Sequence, residues 1–116
     1  MKDMTKAQAT LVAVQLLTPY LGKPTFYQPP PNDAKLKPES ELNPIPLQPL
    51  YDTLVKNDKD NGTHFFEDFI RQLIFLCHNL GYTIGLNTAF FLNGKLGTFG
   101  KLVRYILTHT IPSSDL

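Results

Sequence analysis

Nine of the ten prolines lie between residues 19 and 49, and this clustering restricts the fold of the chain more than any other feature of its sequence. Proline has no backbone N–H, and its ring clashes with the preceding turn of a helix. It is therefore rare inside helices and in central strands. At this spacing we expect neither a regular helix nor an interior strand. The sequence predicts a long, extended, proline-rich strap over residues 19–49.

The apolar side chains of this strap permit two interpretations. In the first, the strap crosses one face of the molecule and buries its larger apolar side chains, which are Phe26, Tyr27, Leu36, Leu42 and Ile45. In the second, the sequence YQPPP at residues 27–31 is a polyproline ligand for an aromatic groove of another protein. We favour the first because no PxxP motif with a flanking Arg is present. The sequence leaves open whether the strap is ordered without a partner.

The residues before the strap predict an apolar helix. Thr5 and Gln8 fit a capping box, in which each side chain accepts a hydrogen bond from the backbone N–H of the other residue. From residue 7 to residue 17 the chain is almost entirely apolar, which is typical of a helix in the middle of a bundle or in an interface. Pro19 and Gly22 are expected to end this helix.

Apolar residues at helical spacing predict two helices after the strap. The first is short, covers residues 47–54, and has Pro46 and Pro49 in its first turn, where a missing N–H costs little. It should end before the polar sequence KNDKDNG. The second covers residues 64–80, with Thr63 as its N-cap and a glycine at its end.

The C-terminal part contains one clear helix and one ambiguous segment. Residues 98–108 are amphipathic and begin at Thr98, a suitable N-cap. Residues 83–97 contain either a short helix and a turn or the first arm of a hairpin that turns at Asn93-Gly94. In both cases the sequence predicts one all-α domain over residues 1–116. Its architecture is a small bundle of four or five helices, with a short hairpin in the second case.

The composition favours a protein that acts by contact with other proteins. Charged residues make up 18% of the chain, below the roughly 25% of an average soluble domain. Large apolar surfaces commonly mark interaction sites, and Phe75 lies on the polar face of its predicted helix. We therefore predict a non-catalytic binding or accessory subunit within a larger assembly, with a protein partner or self-association. The candidate interface residues are Phe26, Tyr27 and Phe75.

Several activities lack their sequence motifs. A calcium loop built on residues 57–68 would place Lys59 where a carboxylate is needed. A phosphate loop ending at Lys101 would need a glycine at Lys95 and a hydroxyl residue at Leu102. Cys77 lies on the apolar face of its helix, so we expect a buried, unreactive thiol. The sequence thus predicts no catalytic residue, no metal or cofactor site and no small-molecule substrate.

The C-terminal third suggests an alternative function. Residues 69–114 contain four basic residues and no acidic one. Lys101 and Arg104 share the outer face of the last predicted helix, and Lys95 precedes that helix. With a helix and a turn over residues 83–97, this part of the chain would resemble a helix-turn-helix arrangement. The alternative prediction is a nucleic-acid-associated helical protein that contacts the phosphate backbone through Lys95, Lys101 and Arg104.

A cytoplasmic location is expected from three features. Asp3 and the absence of a small-residue cleavage site argue against a secretory signal. The longest apolar region, residues 69–92, is interrupted by Arg71 and other polar residues, so no membrane contact is expected. A single cysteine suits a reducing compartment.

Overall fold

A computed structural model describes residues 2–28 and 35–115 of the chain, and this part is mostly helical. The helices are α1 (Lys6–Leu21), α2 (Lys23–Phe26), α3 (Glu39–Leu42), α4 (Gln48–Asn61), α5 (Phe65–Asn79), α6 (Thr88–Leu92) and α7 (Phe99–His109). The strands are β1 (Tyr27–Gln28), β2 (Lys35–Leu36), β3 (Tyr82–Ile84) and β4 (Thr110–Pro112), and a 3-10 helix covers Ser113–Asp115. This architecture agrees with the predicted small helical bundle. Within the described ranges, no helix combines the length and apolar character needed to cross a membrane.

Helix α1 lies at the centre of the bundle, where it packs against α5 and α7. The predicted capping box is present, with the Gln8 N–H 3.2 Å from the Thr5 hydroxyl and the Thr5 N–H 2.9 Å from the Gln8 side chain. The side chains that α1 buries completely are Ala9, Val12, Ala13, Val14, Leu16 and Leu17. Their burial accounts for the unusually apolar composition of this helix.

Contrary to prediction, Pro19 does not end α1. The helix continues to Leu21 and ends at Gly22, whose N–H donates to the Thr18 carbonyl at 2.8 Å. Pro19 is exposed and lies in the last turn, so its ring meets solvent and its missing N–H removes a single hydrogen bond.

The described residues of the proline-rich segment, 19–28 and 35–49, do not show the predicted extended strap. Its described residues form the end of α1, the short helices α2 and α3, the antiparallel pair β1–β2 and the start of α4. The prolines occupy positions that tolerate them: Pro38 precedes α3, and Pro49 lies in the first turn of α4. The prolines of YQPPP lie outside the described residues.

Helix α4 is longer than predicted. Its apolar stripe is confirmed, since Leu47, Tyr51 and Leu54 are buried. The helix continues through the polar sequence to Asn61, with most of those polar side chains exposed and Asp58 directed toward α5. Gly62 ends it in the left-handed conformation, with φ of 63°.

Both ends of helix α5 lie within one residue of the predicted ends, but the side chain that caps its N-terminus is not the predicted one. The Thr63 hydroxyl donates to the Asn57 carbonyl and does not cap the helix. The carboxylate of Asp58, from the end of α4, accepts the N–H groups of Phe65 and Phe66 instead. The apolar face of α5 is confirmed: Phe69, Leu73 and Cys77 are fully buried, and Phe66, Ile70 and Leu80 are partly buried.

Residues 82–97 contain a strand, a short helix and a turn, and there is no hairpin at Asn93-Gly94 within this described segment. Strand β3 pairs with β4 from the C-terminal end, in the register Thr83 opposite Ile111. Asn93 ends α6, with its N–H on the Ala89 carbonyl. The Asn-Gly pair therefore ends α6, and Gly94 adopts the left-handed conformation with a φ of 76°.

Candidate nucleic-acid interface

Helix α7 positions the basic residues of the candidate interface. The Thr98 hydroxyl accepts the Lys101 N–H at 3.4 Å, which confirms Thr98 as the N-cap. The buried face of α7 consists of Phe99, Leu102, Val103, Tyr105 and Ile106. Lys101 and Arg104 lie on the opposite, exposed side. The amphipathic pattern of the sequence therefore gave the correct orientation of this helix.

The N-terminus of α7 is held by the segment between α3 and α4. The Phe99 N–H donates to the Ile45 carbonyl at 2.9 Å, and the Gly100 N–H donates to the Asn43 carbonyl at 3.1 Å. The first backbone donors of the helix thus have protein partners. They are not presented to a ligand, in contrast to the recognition helices of helix-turn-helix proteins.

All three basic residues predicted for nucleic-acid contact line one groove. It has a volume of about 360 Å³ and is lined by Phe90, Lys95, Leu96, Lys101, Arg104, Tyr105, Thr108 and His109. Most of these residues are exposed, so the groove is open along the surface and does not enclose its contents. We refer to it as the basic aromatic groove.

The aromatic half of the groove, which the sequence analysis missed, is fixed by Tyr105. Its hydroxyl donates to the Gly85 carbonyl and accepts the Asn87 N–H, both at 2.9 Å. The side chain is 4% exposed. The two hydrogen bonds of its hydroxyl and the burial of its ring fix the orientation of the Tyr105 side chain. The sequence analysis gave Tyr105 no role, because that role depends on the loop between β3 and α6.

His109 stacks on Tyr105 one helical turn further along. The ring centroids are 3.9 Å apart and the planes differ by 14°. The His109 Nδ1 lies 3.0 Å from the Tyr105 carbonyl and 2.8 Å from the Thr108 hydroxyl. Phe90, from α6, meets the Tyr105 ring edge to face at 5.6 Å. The spacing of Tyr105 and His109 by four residues was the available signal for this stack.

Cationic groups lie beside these rings. The Lys95 Nζ is 5.0 Å from the centroid of the Phe90 ring, a cation–π arrangement. None of the ion pairs found among residues 2–28 and 35–115 involves Lys95, Lys101 or Arg104.

A second groove, of about 420 Å³, lies on the other side of Lys101 and Arg104. It contains an ion pair between Lys6 of α1 and Glu39 of α3. The hydrogen bond from Lys6, together with one from Asn43, lowers the pKa of the Glu39 carboxyl. This carboxylate makes the second groove less suitable for an anion than the basic aromatic groove.

The predicted protein-interface residues do not form one surface. Phe26 is fully buried and packs against Phe99, with centroids 5.7 Å apart, so its ring stabilises the core and does not face a partner. The backbone of Tyr27 pairs with Leu36 in the β1–β2 pair, and its side chain lies outside the described part. Phe75 is 55% exposed on the outer side of α5.

The adjacent residues Cys77 and His78 do not form a reactive pair in the structure. Cys77 is fully buried, as predicted, and burial raises the pKa of its thiol to about 11. His78, the next residue, is exposed on a different side of α5. In the ranges that the structure describes, no group of three or more His, Cys, Asp or Glu side chains could hold a metal ion.

Comparisons with protein-family models, with curated proteins and with solved structures each gave no match for this chain.

Proposed function

We propose that the chain is a non-catalytic binding protein that contacts the phosphate backbone of a nucleic acid through Lys95, Lys101 and Arg104. The observation that supports this proposal best is their position along one groove whose other wall is aromatic. Positive side chains supply most of the affinity for phosphates, and aromatic rings supply surfaces on which bases stack. The basic aromatic groove combines both groups.

The charge distribution supports the same proposal. The groove lies in the part of the chain, residues 69–114, that contains no acidic residue. The acidic residues are concentrated in residues 1–68. The lining of the basic aromatic groove contains no carboxylate, whereas Glu39 lines the second groove on the other side of Lys101 and Arg104, and this difference favours an anion in the basic aromatic groove.

The salt dependence of binding gives a quantitative expectation. Each phosphate neutralised by a cation contributes about 0.7–0.9 to the slope of log affinity against log salt. Three cations therefore predict a slope between about −2 and −3. We expect modest, salt-sensitive affinity with little sequence preference, because contacts to phosphates carry no base information.

Fluorescence polarisation with a labelled oligonucleotide tests this proposal. The double variant Lys101→Glu, Arg104→Glu should lose at least tenfold in affinity. The matched control is Lys56→Glu, Lys59→Glu, which makes the same change of net charge at exposed positions of α4. The control should bind nearly as well as the unmodified protein. Equal affinity of the groove variant and the unmodified protein would refute the proposal.

A protein partner is a second candidate function, as an accessory subunit of a larger assembly. The supporting observation is that two neighbouring apolar side chains of α5, Ile74 and Phe75, are 45% and 55% exposed. Contiguous exposed apolar surface is commonly an interaction site. Sedimentation velocity should show self-association that Phe75→Ser abolishes, or cross-linking in a native extract should give a partner whose yield falls in this variant. If the unmodified protein is a monomer and Phe75→Ser gives the same cross-links, this candidate function is excluded.

A cytoplasmic location remains part of the proposal. The single cysteine is buried in the core, which suits a compartment where thiols stay reduced.

A further inference from the structure

We propose that the basic aromatic groove binds single-stranded nucleic acid in preference to duplex, with one unpaired base stacked on the imidazole ring of His109. This inference rests on the proposed function of the groove and adds the form of the nucleic acid and the residue that holds its base.

The His109 ring is suited to stacking because its position is fixed. One face of the ring packs on Tyr105, and its Nδ1 lies within hydrogen-bond distance of the Tyr105 carbonyl. Tyr105 is itself held by the Gly85 carbonyl and the Asn87 N–H. Phe90 also packs against this ring, with centroids 6.2 Å apart and planes at 79°, yet the residue is exposed, so part of its surface beyond the Tyr105 and Phe90 contacts is open to a ligand. A base stacked there would extend the existing pair of rings, and little side-chain freedom would be lost on binding.

The cations are placed to hold the strand that carries this base. Lys101 precedes His109 by eight residues on α7, about 12 Å along the helix axis. That distance corresponds to about three stacked nucleotides at 3.4 Å each. Arg104 lies between them on the same groove. A short strand along α7 can therefore place phosphates near both cations while one of its bases reaches His109.

The form of the groove favours a single strand over a duplex. In a duplex the base faces are stacked on each other and are not accessible to a ring of the protein. A helix-turn-helix protein reads a duplex by placing the N-terminal residues of its recognition helix in the major groove. That end of α7 is instead hydrogen-bonded to the carbonyls of Asn43 and Ile45.

The open shape of the groove also argues against an enclosed mononucleotide. Five of its lining residues, Lys95, Lys101, Arg104, Thr108 and His109, are exposed. Pockets for small molecules bury most of the ligand surface. A surface groove gains its affinity from several successive nucleotides.

The test compares four ligands: a twelve-residue oligothymidylate, an abasic strand of the same length, a duplex of the same length and thymidine monophosphate. The oligothymidylate should bind at least tenfold more tightly than the other three. Loss of one stacked base should cost roughly tenfold in affinity. His109→Ala should therefore weaken oligothymidylate binding about tenfold and leave the abasic strand unaffected.

His109→Phe keeps a ring at this position and is the rescue variant. It should restore the affinity for oligothymidylate, and it separates loss of stacking from any disturbance of the end of α7. If His109→Ala alters the far-UV circular dichroism, the comparison of His109→Phe with the unmodified protein still tests stacking. Failure of His109→Phe to bind more tightly than His109→Ala would overturn the inference.

The outcomes also distinguish the two proposals. If the abasic strand or the duplex binds as tightly as oligothymidylate, and Lys101→Glu, Arg104→Glu still abolishes binding, the groove contacts phosphates and the base-stacking inference is wrong. If thymidine monophosphate binds as tightly as the oligonucleotide, the groove is a nucleotide site and the inference is also wrong. If none of the strands binds, the proposed function itself fails.

Discussion

The carboxylate of Asp58, near the end of α4, accepts the backbone N–H of Phe66 at 3.0 Å in the first turn of α5. It also accepts the N–H of Phe65. One side chain thus caps a helix to which it does not belong and fixes the connection between two consecutive helices. Negative charge at this position also favours the dipole of α5.

We expect Asp58→Ala to lower the free energy of unfolding by about 1 kcal/mol, the usual cost of removing an N-terminal cap. Asp60→Ala is the matched control, since Asp60 is an exposed acidic residue of the same helix and has no described hydrogen bond. Urea denaturation followed by circular dichroism measures both. If Asp60→Ala lost as much stability as Asp58→Ala, Asp58 would act through its negative charge in general and not as a helix cap.

Tyr105→Phe tests the anchoring of the aromatic half of the groove. The ring is retained, but the Gly85 carbonyl and the Asn87 N–H lose their partner. Both residues are exposed, so water can replace part of the loss, and we expect a decrease of about 1 kcal/mol in unfolding free energy. Tyr20→Phe is the control, because the Tyr20 hydroxyl has no described protein partner. If the two variants have the same stability, the Tyr105 hydroxyl contributes nothing to the fold.

The features that sequence analysis predicted correctly are local. The capping box of Thr5 and Gln8 and the N-cap at Thr98 need residues only three positions apart. The apolar faces of α4, α5 and α7 could be predicted because apolar residues recur at the helical period in a helix that packs on one side. The positions of Lys101 and Arg104 on the solvent side of α7 follow from that same period.

The missed features depend on contacts between distant residues. Asp58 caps α5 only because α4 ends beside it. Strands β3 and β4 have three residues each, too few to show an alternating pattern, and their pairing joins two remote parts of the chain. Phe90 reaches the groove from a separate short helix. The number of prolines predicted an extended segment, whereas the structure places Pro19 and Pro49 in terminal turns of helices, which the sequence alone does not indicate.

Gly62→Ala should destabilise the protein by about 1 kcal/mol because residue 62 has a left-handed φ of 63°. A Cβ at this position would meet no atom within 4 Å, so the cost is purely conformational. Gly85→Ala is the control: its φ is outside the left-handed region, and its Cβ would lie 3.9 Å from the His109 carbonyl oxygen, an ordinary contact. Thermal unfolding should show a lower midpoint for Gly62→Ala alone. Equal midpoints would mean that the end of α4 adapts without strain.

Cys77 should react slowly with iodoacetamide in the folded protein. Only the thiolate reacts, and with the pKa raised from 9.0 to about 11 the thiolate fraction at pH 8 falls from about a tenth to about a thousandth. Complete burial of the side chain slows the reaction further. The rate should rise with pH up to about 11, because the group that must ionise is an acid whose neutral form is favoured by burial.

The variant Gln72→Cys allows this prediction to be measured within one molecule. Position 72 is exposed on the same helix as Cys77, so the introduced thiol provides an internal reference. Mass spectrometry of peptides after timed alkylation at pH 8 should show modification at position 72 at least a hundredfold faster than at Cys77. In denaturant the two rates should converge, since burial is lost. Comparable rates in the folded protein would mean that this part of α5 opens to solvent, contrary to the complete burial of Phe69, Leu73 and Cys77.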